Sequence, residues 1–269
     1  MDLNLIRKLA PSSRPSSRPG SHWTVFVSTG AALLIWEGIT RLTGLPAFIL
    51  PAPAAVGARL LKSLSDGTLL RHTTATLLEI LLGLLTGTLF AIIIGYLIAK
   101  SHRFERLIAP YLVATQAIPI VAIAPLIVIW FGPGIFSKVL ICSLIVFFPV
   151  LINTVVGVRA VPRSLHDLMR SLRAKRSQIL RYLEIPAALP IFLGGLRIGA
   201  TLAVIGAVVG ELVGSKQGLG FLINAARGQY DTALVFVAVF TLIALAIFLY
   251  GLVALLEKIF LKWQETPHP

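Results

Sequence analysis

Residues 137–157 read SKVLICSLIVFFPVLINTVVG, and residues 167–190 read DLMRSLRAKRSQILRYLEIPAALP. The first run is apolar for long enough to cross a bilayer, since roughly 20 helical residues span a hydrocarbon core about 30 Å thick. The second is basic and amphipathic. Leu165, Leu168, Met169 and Leu172 recur at helical spacing, and Ser177 is placed to cap a second helix carrying Ile179, Leu180 and Leu183 before Pro186 stops it. A helix, turn and helix too short to span a bilayer, greasy on one face and cationic on the other, must lie on lipid or in a partner's groove. Periodicity leaves those two options level.

Outward from these two runs the composition is that of a membrane protein: 57% of residues are apolar and 13% charged, with a mean hydropathy of +0.89. The expected fold is an all-α polytopic membrane protein with six transmembrane helices, near 24–42, 77–99, 107–130, 135–158, 187–214 and 233–256. A cytoplasmic loop at 159–186 separates spans four and five, within a transmembrane domain covering 24–256. Residues 1–23, with SSRPSSRPGS, read as a disordered basic cytoplasmic tail rather than a cleaved signal, and 257–269 as a cytoplasmic C-terminal tail. The first span carries Glu37 and Arg41, and the third must kink at Pro119 and Pro125.

Charge sets the expected orientation. With both termini inside, the cytoplasmic segments hold sixteen Lys and Arg, seven of them in 159–186, and the opposite loops hold five. The net charge of +13 therefore sits at membrane edges, where anionic headgroups are its counter-ions, and is not interleaved with aromatics as on a nucleic-acid-binding face.

Catalytic chemistry finds little support. Cys142 is the only cysteine and falls within the fourth span, the five histidines lack ligand spacing, and no metal or other cofactor is expected. The nearest approach to a phosphate loop, GELVGSKQ at 210–217, has Ser215 and Gln217 where a P-loop needs glycine and a hydroxyl residue. The chain is read as a non-enzymatic subunit. Small residues recur every four positions at Gly83, Gly87, Ala91, Gly95 and Ala99, and again at Gly206, Gly210 and Gly214 with Gly195 and Gly199 before them. Such stripes let helix backbones approach closely, either for internal packing or along a pore or subunit interface. Glu79 and Arg197 are read as lying near span ends, able to snorkel. Gln116, Asn153 and Glu211 are candidate pathway residues, with Glu211 placed to cap a vestibule ahead of the turn-rich SKQGLG.

The segment at 167–186 resembles the cytoplasmic signature of ABC-importer permeases: Glu-Ala-Ala, three residues, Gly, nine residues, Ile, one residue, Leu-Pro. Asp167, Leu168 and Met169 occupy its first three positions, Arg173 the glycine, Leu183 the isoleucine, and Ile185 with Pro186 the last pair. Arg173 departs from the pattern, removing a residue that permits a tight turn or requiring helical dihedrals there. TQAIPIVAIAPLIVIWFGPG at 115–134, the run at 137–157, and GELVGSKQGLGFLI at 210–223 are similar to the nitrate, sulfonate, taurine and vitamin-precursor branch of that family.

The resemblance implies a permease of the binding-protein-dependent inner-membrane type, in a prokaryotic cell membrane. Its partners would be a second permease copy, as a homodimer, two cytoplasmic ATP-binding subunits that hydrolyse the ATP, and an extracytoplasmic solute-binding protein. Leu168, Met169 and Leu172 would insert into the ATPase, while Asp167, Arg170 and Arg173 select it electrostatically. The wording around Arg173 and Glu184 favours a heteroaromatic vitamin or precursor, such as riboflavin or the thiamine pyrimidine, over sulfonate, taurine or nitrate. The alternative class is an ion-gradient-driven secondary transporter, which calls for buried ionisable relays and an inverted repeat. No half-to-half repeat is evident in the chain.

Overall fold

In a computed structural model, residues 22–262 are described, and every regular element among them is a helix. These residues divide into two compact units at Pro53. Apart from residues 22 and 23 the expected N-terminal tail lies outside the described residues, as do 263–269 of the C-terminal tail. The first unit is α1, His22–Thr43, and a following turn in which the Ile49 amide donates to the Pro46 carbonyl at 2.8 Å. Arg41 Nε lies 2.6 Å from Glu37 Oε1 one turn earlier, so the two charges in this apolar stretch answer each other.

The second unit begins with α2, Pro53–Ser65, and α3, Thr68–Lys100. Two shorter helices follow, α4 (His102–Ala117) and α5 (Ile120–Phe131), and then the long α6 (Ile135–Arg159). After α7, Arg163–Ser171, the four-residue α8, Arg176–Ile179, runs through a π-turn at Leu180–Glu184 into α9, Ile185–Gly214. The chain closes with α10, Leu219–Gly228, and α11, Thr232–Phe260. The N-cap residue's own side chain starts α4 and α11: Ser101 Oγ accepts the Phe104 amide ahead of α4, and an Asp231 carboxylate oxygen accepts the Leu234 amide ahead of α11.

Four described stretches are long and apolar enough to cross a membrane: α3, α6, the continuous α8–α9 rod, and α11; α4 and α5 make a fifth if they form one broken span. Those two helices meet at 96°. The break falls at Ile118–Pro119, because Pro119 has no amide to donate and pushes Ile118 into extended backbone at φ −81°, ψ 119°. Pro125 sits inside α5 without ending it.

The centre of the unit is α6, held between α3 and α9. A Cβ placed on Gly83 would come within 2.2 Å of Cys142 Cβ, and one on Gly206 within 2.9 Å of Cys142 Cα, so the same cysteine is pressed between two glycines. Gly87 lies against Ser143, Gly199 against Val146 and Val150, and Gly195 against Asn153. Both small-residue stripes therefore serve contacts within this chain. Outside this core, Leu85, Phe90, Ile129, Trp130, Ile247 and Phe248 are all exposed, as side chains facing hydrocarbon would be.

Two ionisable groups read as snorkelling do not. Glu79 on α3 is buried, with Lys138 Nζ of α6 at 2.7 Å from its Oε1. Arg197 of α9 pairs with Glu257 of α11, donates to the Tyr250 hydroxyl at 3.2 Å, and stacks its guanidinium 4.9 Å from that ring's centre. Each was assigned to a span end, but the helices extend past those limits and supply a partner of opposite charge.

Candidate functional site

The amphipathic pattern of 165–172 folds as the single helix α7, and its apolar face is left open. Leu165, Leu168 and Leu172 are 41%, 55% and 69% exposed, Met169 is half-buried, and Arg163, Arg170, Arg173, Lys175, Arg176 and Arg181 are exposed along the same segment. Asp167 lies 3.6 Å from Arg170, an exposed pair one turn apart. Three exposed leucines on a basic segment form a surface that loses apolar area from water only by entering something else.

The helix stops at Arg173, and it does so in an unexpected conformation. Arg173 has φ +54°, the left-handed region that glycine adopts without strain. Its amide donates to the Arg170 carbonyl and the Ala174 amide to the Met169 carbonyl, both at 2.9 Å, the paired bonds of a Schellman termination. Arg173 therefore neither abolishes the tight turn nor takes helical dihedrals; the turn persists with a strained residue in it. Two further expectations change here. The cap of the next helix is at Lys175, whose amide donates to Gln178 Oε1 at 2.7 Å, while Ser177 lies inside the helix. Pro186 does not stop that helix: the π-turn, in which the Ile185 amide reaches the Leu180 carbonyl, shifts the bonding register just ahead of the proline and lets α9 proceed. Leu183, Ile185 and Pro186 thus stand on the same rod as the apolar span.

At the foot of that rod is a residue that the sequence reading did not select. The Glu184 side chain is 2% exposed and receives three groups from two other elements. Lys100, at the end of α3, pairs with its Oε1; the Tyr96 hydroxyl donates to Oε2 at 3.2 Å; and His166 Nε2 of α7 lies 3.1 Å from Oε1. An apolar groove of about 490 Å³ adjoins it, lined by residues including Tyr96, Leu97, Thr154, Leu180, Ile185 and Phe192. The available signal was a lone carboxylate within the greasy YLEIP, since an acid there needs partners to be buried.

The three candidate pathway residues lie apart. Gln116 is exposed near the end of α4. Asn153 on α6 donates Nδ2 to the Pro149 carbonyl at 2.8 Å and fills the space beside Gly195. Glu211 is 1% exposed: it accepts the Thr76 hydroxyl of α3 at 2.6 Å and the Gly220 amide that opens α10. The Leu219 amide donates to Thr76 Oγ1 at 2.8 Å and the Gly218 amide to His72 Nδ1 at 3.0 Å. Three successive amides at the start of α10 are thus received by side chains of α3 and α9. The Glu79–Lys138 pair borders this set, with Glu79 Oε2 buried and without a hydrogen-bond donor.

Residues 87–261 match the family described as the binding-protein-dependent transport system inner membrane component. The chain is 50% identical over 87% of its length, and 87% of the relative's, to the riboflavin transport system permease protein RibX of Chloroflexus aurantiacus. It is 38% identical to the formylaminopyrimidine transport permease protein ThiX of Halalkalibacterium halodurans, covering 87% of this chain and 92% of that one. The identity to the taurine transport system permease protein TauC of Escherichia coli is 34%, over 88% of each. Among solved structures, an inward-facing MetNI methionine ABC transporter chain superposes with a TM-score of 0.64, covering 71% of this chain and 95% of that one at 17% identity, which is a likeness of fold.

Proposed function

Because the chain belongs to the binding-protein-dependent transport inner-membrane component family of ABC importers, we propose that it forms the membrane pathway of an ATP-driven importer for a heteroaromatic vitamin or vitamin precursor, riboflavin first. Its half-identity to a riboflavin permease and its 38% identity to a formylaminopyrimidine permease support that solute class. The work comes from partners: cytoplasmic ATP-binding subunits that hydrolyse ATP, and an extracytoplasmic protein that delivers solute. Two copies of the chain frame one pathway, each crossing the membrane six times, with α1 and the bent α4–α5 pair as spans and both termini in the cytoplasm.

The observation that carries this reading is the open leucine face of α7, on a cationic segment whose following helix is continuous with a span. Leu168, Met169 and Leu172 enter a cleft in the ATPase; Asp167, Arg170 and Arg173 set its orientation; and Leu183, Ile185 and Pro186 pass the movement into α9. A rigid connection suits a device that biases two discrete arrangements. Gln116, Asn153 and Glu211 are the polar groups assigned to the pathway side of the bundle.

The test is reconstitution of the chain with its ATPase and binding protein in lipid vesicles. Riboflavin-loaded binding protein is expected to stimulate ATP hydrolysis, and L168D combined with M169D to abolish the stimulation while the permease stays in the membrane. Intact stimulation in that variant, or uptake that survives ATP depletion and collapses with an ionophore, overturns the reading.

A further inference from the structure

We propose that Glu184 is the positioning residue that joins the ATPase-facing segment to two spans, so that α7, the end of α3 and the foot of α9 move as one body. The inference rests on the importer reading above and adds to it a residue that the signature spacing leaves unspecified, the single position between Leu183 and Ile185.

Three observations carry it. First, the Glu184 carboxylate is almost wholly buried and its partners come from separate elements: Lys100 and Tyr96 from α3, His166 from α7. A buried charge is tolerated only when paired and hydrogen-bonded, so the three groups are held to the carboxylate as firmly as it is held to them. Second, the backbone bearing it is a π-turn, in which the helix changes bonding register between α8 and α9. Such a turn is a local weakness in an otherwise continuous rod, and movement applied to α7 and α8 would be absorbed there unless something bridged it. Glu184 bridges it from inside, on the last residue of the turn. Third, Glu184 lines an apolar groove of about 490 Å³ together with Tyr96, Leu180 and Ile185, so the turn is not packed by protein on that side and its side-chain contacts are what hold it in place.

His166 adds direction to the connection. It lies in the same helix as Leu165 and Leu168, one residue before Asp167, and reaches Glu184 across the strained termination at Arg173. Motion of the leucine face therefore has a side-chain route to α9 that bypasses the 172–175 turn.

The experiment uses the complete reconstituted importer and reads ATP hydrolysed per solute imported. The wild-type complex must first show stimulation by loaded binding protein; without it the importer reading fails and Glu184 is not at issue. Given stimulation, E184Q, which keeps shape and removes charge, is expected to assemble with the ATPase yet raise ATP consumed per solute roughly tenfold, the scale of a lost coupling interaction. The charge exchange E184K with K100E is expected to recover part of the ratio, and H166N to give an intermediate value. A ratio unchanged in E184Q overturns the proposal, whether transport is normal or falls in step with the amount of assembled complex. An E184Q ratio that rises without any recovery in the exchanged pair overturns the role of Lys100 as its partner.

Discussion

Arg173 shows how a residue can break a sequence pattern and keep the structure that the pattern encodes. The Schellman bonds demand a left-handed residue after α7, and a non-glycine side chain there costs about 1–2 kcal/mol. Arg173→Gly is therefore expected to leave the turn in place and slow hydrogen exchange at Arg173 and Ala174, whereas Arg173→Val, β-branched in the same region, should speed it; equal exchange in both variants contradicts the strain. The Glu79–Lys138 pair supports a second residue-scale prediction. Removing one charge strands the other, so Glu79→Leu or Lys138→Met alone should destabilise the protein by about 3–5 kcal/mol, and the double replacement by much less. Thermal unfolding in detergent measures both. The sequence marked Glu79 as costly but set it near a span end, because the first turns of α3, Thr68–Thr76, look too polar for a span, whereas His72 and Thr76 there receive amides from the start of α10.

At the scale of elements, the helices follow the apolar runs, while their breaks depend on chemistry between helices. The bend after Ala117 was legible in Pro119; its 96° angle was not, since proline fixes where amides are missing and packing fixes the direction. Pro186 misled for a related reason: a proline ends a helix only if the register before it stays α, and the π-turn changes that register. The glycine stripes were legible as close-packing surfaces, but one chain's sequence does not say which helix they meet. Their meeting on α6 makes a sharp expectation. Gly83→Leu or Gly206→Leu should wedge α3 or α9 off Cys142, lowering stability by about 1–3 kcal/mol or preventing assembly, while Gly30→Leu, whose Cβ would meet nothing within 4 Å, should be silent.

For the whole molecule, hydropathy and charge were enough to indicate a polytopic membrane protein, and the orientation drawn from them can be checked chemically. Cys142 is fully buried, so the native chain offers a folded background on which single cysteines report sidedness. In intact cells an impermeant maleimide is expected to label Ser65→Cys, exposed at the end of α2, and to reach Ser171→Cys only after permeabilisation. The reverse pattern inverts the topology. The Glu184 centre was not legible at this scale, because its members are spread from Tyr96 to Glu184 and none belongs to the spaced signature except by adjacency.

The triple layer of α3, α6 and α9 has a mechanical consequence. Glycines of α3 and α9 press directly on α6 at Cys142, Ser143 and Asn153 and leave little slack, so the layer is stiff in the way a laminated beam is stiff. Force applied at one end of a stiff beam arrives at the other with little lost to internal sliding. Compliance is then left to the corner at Pro119, since the contacts of Glu184 with Lys100, Tyr96 and His166 span both the Arg173 turn and the π-turn before Ile185. On the proposed importer reading, a small displacement at the cationic end would tilt the entire layer, and substitutions that soften the layer should waste the stroke even when every partner remains bound.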